Sequence, residues 1–234
     1  MRWRHSLSRL AALAALVSAV PATAGSDPAN PSCPEVPGWA AYPVMRFTLD
    51  TSRGSRILRA EGIIDGNAAT RLAAALATHS PVEEIWLSSP GGDARIGNEA
   101  GQLIRKAMIP TRIPAGSACF SACNFLFMGG PIRSVDAGGL FIVHMFTHTA
   151  NRTLIDVEVS RGSNATIDLI GEIEQSSAVL ATEDNDFLIR MGVSRKLLSD
   201  VMYQQKAIAT QGEDRSTRRC LTPEELKRYN VVNL

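Results

Sequence analysis

The chain has 234 residues, of which 45% are hydrophobic, 20% charged and 6% aromatic, with a formal net charge of +1. This composition excludes a disordered chain, a collagen and a coiled coil. Basic and acidic residues are nearly balanced, 24 against 23, so there is no excess to neutralise phosphates and nucleic acid is not an expected partner.

Residues 1–24 read as an export signal. Arg2, Arg4 and Arg9 make a positive start, an Ala/Leu-rich apolar run covers 10–20, and Ala22, Thr23 and Ala24 form a small-residue cleavage pattern. The run is short for a permanent bilayer helix, with a retained anchor as the alternative. Cleavage after Ala24 would remove three arginines and no acid, taking the net charge to −2. The remainder is long enough for one substantial core and cramped for two domains. No later segment approaches a membrane span, so the expectation is a periplasmic or secreted protein with no stable span once the signal is removed. All four cysteines, Cys33, Cys119, Cys123 and Cys220, lie after the signal. An even number in an oxidising compartment points to disulfides, and the pairing stays open among three possibilities. Cys119 and Cys123 could instead be thiolate ligands, but no second His/Cys pair stands at a suitable spacing.

Residues 25–43 are rich in Pro, Ser, Asn and Gly and read as a linker or surface arm, with Cys33 placed to staple it to the body. Residues 44–234 are expected to form a single domain. Strands are predicted over 44–49 and 56–63, then Asp65 as an N-cap and a helix over 68–78. A strand over 84–88 runs into Ser89-Pro90-Gly91-Gly92. The helix over 94–107 places Ile96, Ala100, Leu103 and Ile104 on one face. A strand over 110–113, a helix over 121–128 closed by Gly129-Gly130, and a strand over 140–144 follow. This alternation implies an α/β fold of stacked βαβ units with a mostly parallel sheet. A long helix is predicted over 164–191, with Ile167, Ile170, Ile173, Leu180 and Phe187 as its apolar positions. Thr222 followed by Pro223, Glu224 and Glu225 is a strong helix start.

Two stretches can carry chemistry. Gly91 and Gly92, between a strand and a helix, can turn the backbone sharply and point bare N–H groups into a cleft, where they would bind an oxyanion or a phosphate. A tight turn is their simpler use. No Gly-Lys-Ser/Thr follows, so this is not a Walker loop. The second stretch, 115–123, packs small residues around Ser121. Ser121 can cap the helix or act as a nucleophile, and a nucleophile needs a base. His144, at the end of an apolar strand, is either a satisfied buried side chain or that base. His144 and His148 share a strand face at a spacing too wide for an easy metal pair. His79 reads as structural.

The order of these features resembles the Clp protease proteolytic subunit, within the wider crotonase-like superfamily. The likeness runs over 63–145: Ser-Pro-Gly-Gly, a helix, a strand, Gly116 and Ser121 with four residues between, an apolar helix ending Gly-Gly, and a strand ending in His144. Phe125 and Gly130 fall where that family's serine helix carries Phe and Gly. The resemblance implies a Clp/crotonase-like fold with a long handle-like helix over 164–191 that mediates homo-oligomer contacts. It implies Ser121 as nucleophile, His144 as base, and an oxyanion hole from Gly91 or Gly92 with Ala122. The third triad member should precede Cys220-Leu-Thr, where Arg218 and Arg219 stand instead. Asp214 is the nearest candidate, Asp200 a poorer one, and the position could be empty. An exported chain meets no ATP, so the ATPase that feeds the Clp peptidase is not an expected partner. Signal peptide peptidase A, an exported relative, uses a Lys base for which this chain shows no counterpart.

The implied function is an ATP-independent exported serine peptidase or hydrolase acting on peptide or protein substrates without cofactor or metal. The alternative is a catalytically inactive Clp-like binding or assembly module, suggested by the missing Asp and the cysteines flanking Ser121. An acyl-CoA enzyme ranks last, because exported proteins rarely meet CoA.

Overall fold

The computed structural model describes residues 25–149, 151–208 and 215–234. The expected export signal over 1–24 and the candidate Asp214 lie outside the described residues. The arm contains a short hairpin where the sequence predicts a linker: β1 (Ser26–Asp27) pairs antiparallel with β2 (Asn30–Pro34). Then come β3 (Arg46–Asp50), β4 (Ile57–Glu61), α1 (Ala68–Thr78), β5 (Glu84–Ser88), α2 (Ala94–Ala107), β6 (Thr111–Ile113), β7 (Ala118–Phe120), α3 (Cys123–Gly129), β8 (Arg133–Val135) and β9 (Leu140–His144). The C-terminal part holds α4 (Arg152–Ser160), α5 (Ser163–Arg190), α6 (Lys196–Asp200), a 3-10 turn (Met202–Gln204), β10 (Ala207–Ile208), β11 (Arg215–Ser216), β12 (Arg218–Cys220) and α7 (Pro223–Arg228).

The fold is mixed α/β with largely parallel sheets, as the alternation predicts. One sheet has the order β3-β4-β5-β6-β8, all parallel except β3, which runs antiparallel to β4. A second has the order β12-β9-β7, with β7 parallel and β12 antiparallel to β9. An isolated parallel bridge, Ser89 to Cys119, joins the two just past the C-terminal end of β5, and a second, Ile64 to Gly92, continues the pairing of the chain after β4 and β5 in the first sheet.

Helix α2 shows how the sequence builds the layer behind that point. Asp93 caps it, its carboxylate accepting the Ile96 N–H at 2.9 Å, and Ile96, Ala100 and Ile104 are buried. Gly97 and Gly101 lie on the same face, one turn apart. A methyl added to Gly97 would stand 2.7 Å from Ala122 O, so only glycine lets α3 lie this close. Gly101 and Gly129 touch in the same way further along. Behind this layer Arg133 is almost fully buried, with no ion pair to an acid among the described residues. Its guanidinium donates to the carbonyls of Val231, Gly130, Asn230 and Met191 at 2.8–3.3 Å. Burial and the nearby Arg105 lower its pKa to about 10, still far above neutrality.

Two expectations are corrected. Asp65 does not cap α1; its carboxylate accepts from the Met45 and Asn67 N–H groups and from Arg71, and Asn67 takes the N-cap position. Residues 118–120 form β7, and the serine helix begins at Cys123 rather than at Ser121. Beyond β9 the chain forms α4, no residue of which is buried. The long helix is present as α5, with Leu169, Phe187 and Leu188 buried and Ile167, Ile170, Val179 and Ile189 exposed. The capping box at Thr222 and Glu225 forms as the sequence predicts.

All four cysteines are paired, Cys33 with Cys220 and Cys119 with Cys123. The first bond closes 187 residues and fixes the arm against β12. Two more contacts hold it there: Asp27 pairs with Arg218 at 2.7 Å, and Asn30 Oδ1 accepts the Arg218 N–H. No helix among the described residues is long and apolar enough to cross a membrane.

Candidate active site

The turn between β7 and α3 is the focus of the site. Ser121 occupies it with φ of 56°, a left-handed conformation that L-residues adopt only under constraint. The constraint is visible. The Cys119–Cys123 disulfide ties the middle of β7 to the first residue of α3 around Ser121, and Asn124 anchors α3 by donating to Ile142 O of β9 at 2.8 Å. The forced turn leaves the Ser121 side chain free of the capping role that its position in the sequence suggests. That place belongs to Ala122, which has no side chain to cap with.

Strand β9 delivers the partner. His144 Nε2 lies 2.6 Å from Ser121 Oγ. Its ring also packs on Phe120, with centroids 4.7 Å apart, and Phe120 in turn stacks on Trp39 of the arm at 5.6 Å. On the far side of the imidazole, Nδ1 lies 3.2 Å from Ser216 Oγ, and Ser216 donates its single hydroxyl proton to Met145 O at 2.8 Å. With that proton committed, Ser216 Oγ can only accept from Nδ1–H. A neutral imidazole protonated at Nδ1 has a bare Nε2, the form that accepts the Ser121 proton.

The Gly91-Gly92 turn lies against the same elbow. A methyl on Gly91 would meet Phe120 O at 2.6 Å, Ser121 Cβ at 2.7 Å and Ala122 N at 3.1 Å. Glycine is thus what leaves the approach to the Ala122 N–H open. The two glycines differ in their amides. The Gly91 N–H donates to the buried Ser89 Oγ at 3.0 Å. Among the described residues no acceptor is paired with the N–H of Gly92 or of Ala122.

The structure therefore brings Ser121, His144, Gly91, Gly92 and Ala122 together. Asp200 is not with them. It is exposed at the end of α6, and its carboxylate accepts from Ser199 Oγ. His148 does not reach Ser121; its ring packs edge-on against Phe146. The thiolate reading of Cys119 and Cys123 is overturned by their disulfide. Among the described residues no group of three or more His, Cys, Asp or Glu is placed to hold a metal. Ser216 is the residue that reading the sequence misses. It comes 72 positions after His144, in a serine-and-threonine stretch with no local signature, and only the antiparallel pairing of Arg218 with His144 brings it there.

The site opens into a cavity of about 1470 Å³, walled by the arm on one side and by α5, α6 and the 3-10 turn on the other.

No family model matches the chain, and no curated protein matches it. Among solved structures it is similar to a variant of a membrane-bound stomatin-specific protease, at 16% identity and a TM-score of 0.46, over 76% of this chain and 75% of the other. It is also similar to a variant of ClpP1 from Listeria monocytogenes, at 17% identity and a TM-score of 0.46, over 76% of this chain and 88% of that one.

Proposed function

We propose that this protein is a serine hydrolase acting on peptide bonds, exported from the cell and independent of ATP. The observation that carries the reading is the directed chain Ser121–His144–Ser216–Met145 O, in which each hydrogen bond leaves the next atom in the state that nucleophilic attack requires. Ser121 Oγ attacks the carbonyl carbon while His144 Nε2 takes its proton. The carbonyl oxygen becomes an oxyanion, bound by the N–H groups of Gly92 and Ala122. A donor of this kind contributes about 3 kcal/mol to the transition state. His144 then returns the proton to the departing amine, leaving an acyl group on Ser121. A water, deprotonated by His144, attacks the ester carbonyl, releases the acid and restores Ser121.

Ser216 is a positioning residue in this scheme, holding the imidazole tautomer. Asp214, two residues upstream, is kept as a candidate third member and is tested beside it by Asp214→Asn. Gly91 shapes the approach and spends its own N–H on Ser89. Two buried disulfides support the exported location, since such bonds persist in oxidising compartments. An exported chain has no ATP to power an unfoldase. The exposed apolar face of α5 supports assembly as a homo-oligomer.

The deciding experiment is intact-mass analysis after treatment with a fluorophosphonate probe. One adduct on the wild-type protein, absent from Ser121→Ala, is the expected result. A folded, oxidised protein that gains no adduct would exclude this mechanism and favour the binding-module alternative.

A further inference from the structure

Past Ser121 the cavity continues along α5. Ile173, Ser177, Leu180, Ala181, Asp184 and Leu188 line it, and their spacing places them on one face of the helix. The meeting point of α5 with the serine helix is fixed by Phe187, which packs edge-on against Phe125 with centroids 5.0 Å apart. Phe125 stands one turn beyond Ser121, and Asp184 one turn before Phe187 and Leu188. Ser121 and Asp184 thus line the same cavity, Asp184 about one turn of α5, roughly 5 Å, from the Phe187–Phe125 contact. Met128, Leu197, Leu198 and Met202 make the intervening walls apolar.

The charged groups in this cavity are accounted for one by one. Asp27 pairs with Arg218, Asp93 caps α2, His144 touches Ser121 and His148 packs against Phe146. Asp184 is different: among the described residues it has no hydrogen bond or ion pair from its side chain. Burial, and secondarily Glu183 on the same helix, push its carboxyl up to about 7. Tyr203 faces it from the 3-10 turn, and its phenol is raised first by burial and then by Asp184. Asp184 is thus a half-buried carboxyl among apolar cavity-lining residues, with no cation beside it among the described residues.

We propose that Asp184 forms the floor of a specificity subsite that takes a lysine or arginine side chain of the substrate, on the acyl side of the scissile bond. The aliphatic stem lies along the apolar walls, and the charged end meets the carboxylate, a pairing that draws Asp184 into its ionised form. This rests on the serine-hydrolase reading and names its substrate class, basic peptides.

The test separates binding from turnover by using the full-length Ser121→Ala protein. Acetyl-Ala-Ala-Arg-amide and acetyl-Ala-Ala-norleucine-amide are titrated calorimetrically, at a pH above the Asp184 value of about 7. The arginine peptide should bind roughly ten- to hundredfold more tightly, the range for a hydrogen bond to a charged group. In Ser121→Ala/Asp184→Asn the two peptides should bind alike, the change falling on the arginine side, and Ser121→Ala/Asp184→Glu should keep the preference. Equal binding of the two peptides to Ser121→Ala overturns the proposal, as does an arginine preference that survives Asp184→Asn. Fluorophosphonate labelling of wild type reports separately on the hydrolase reading, so a failure of the subsite and a failure of the nucleophile give different results.

Discussion

Ser216→Ala tests whether the orientation of His144 is built or incidental. The substitution removes one neutral hydrogen bond, from Nδ1–H to Ser216 Oγ at 3.2 Å, and leaves Ser121 and His144 in place. One such bond contributes about 1 kcal/mol, so the population of productive imidazole, and with it the rate of acylation, should fall about fivefold. This is far less than the roughly 10⁴-fold loss that follows where an orienting residue enforces the wrong tautomer. Met145 O also loses its donor, costing stability by a similar amount, about 1 kcal/mol, and lowering the melting temperature by about 3 °C. The assay is the second-order rate of fluorophosphonate incorporation, read by mass, beside thermal melts of the same samples. Ser216→Thr, which keeps the hydroxyl, should restore the rate, a rescue that a purely structural role does not predict. Acylation of Ser216→Ala at the wild-type rate would refute the relay.

Three further outcomes follow from the same geometry. Gly91→Ala sets a methyl 3.1 Å from Ala122 N, in the place of an oxyanion, and should cut acylation by about 10²-fold or more; an unchanged rate removes Ala122 from the hole. Arg133→Met removes the Arg133 donors from the Val231 and Asn230 carbonyls and leaves those of Gly130 and Met191 to Arg105 alone; it should destabilise the fold by about 2–4 kcal/mol, seen as a melting temperature lower by roughly 8 °C. Asp184→Asn should stabilise the protein, and only above acid pH. The native carboxyl holds its proton up to about pH 7 whereas the unfolded one releases it near 3.8, so wild-type stability falls as the pH rises through that window and is level above it. Removing the carboxyl should recover up to about 4 kcal/mol at neutral pH and nothing below the unfolded value, which denaturant titrations at the two pH values can check.

The parts of the fold legible in the sequence are those written locally. Helices α1 and α2 and strands β5 and β9 begin and end where their apolar spacing puts them, with Asp93 capping α2, because burying one face settles the element before any distant partner is known. The candidate site was legible as far as Ser121, His144 and the glycine turn, through their order along the chain. Three things were not. Strand β7 is three residues long and holds the small Ala118, so no periodicity reveals it. The left-handed turn at Ser121 comes from the disulfide and the glycine layer behind it, and neither acts through local propensity. Ser216 reaches His144 only through the register of β12 on β9. Asp65 shows the reverse error, a good capping residue taken over by Arg71 and the Met45 N–H.

The closure of the chain by Cys33 and Cys220 has a bearing on time as well as on shape. Ser121 and His144 both precede residue 145, whereas β12, whose pairing with β9 brings Ser216 to His144, lies at 218–220, and the arm that braces it lies at 26–34. A ribosome or a translocation pore releases these pieces in order. Under the proposed mechanism, Ser121 and His144 are synthesised before the segment that brings Ser216 to the imidazole, and the full hydrogen-bonded chain forms only when residues 26–34 and 218–220 come together. An incomplete or unoxidised chain then carries Ser121 and His144 without the Ser216 contact and should acylate more slowly.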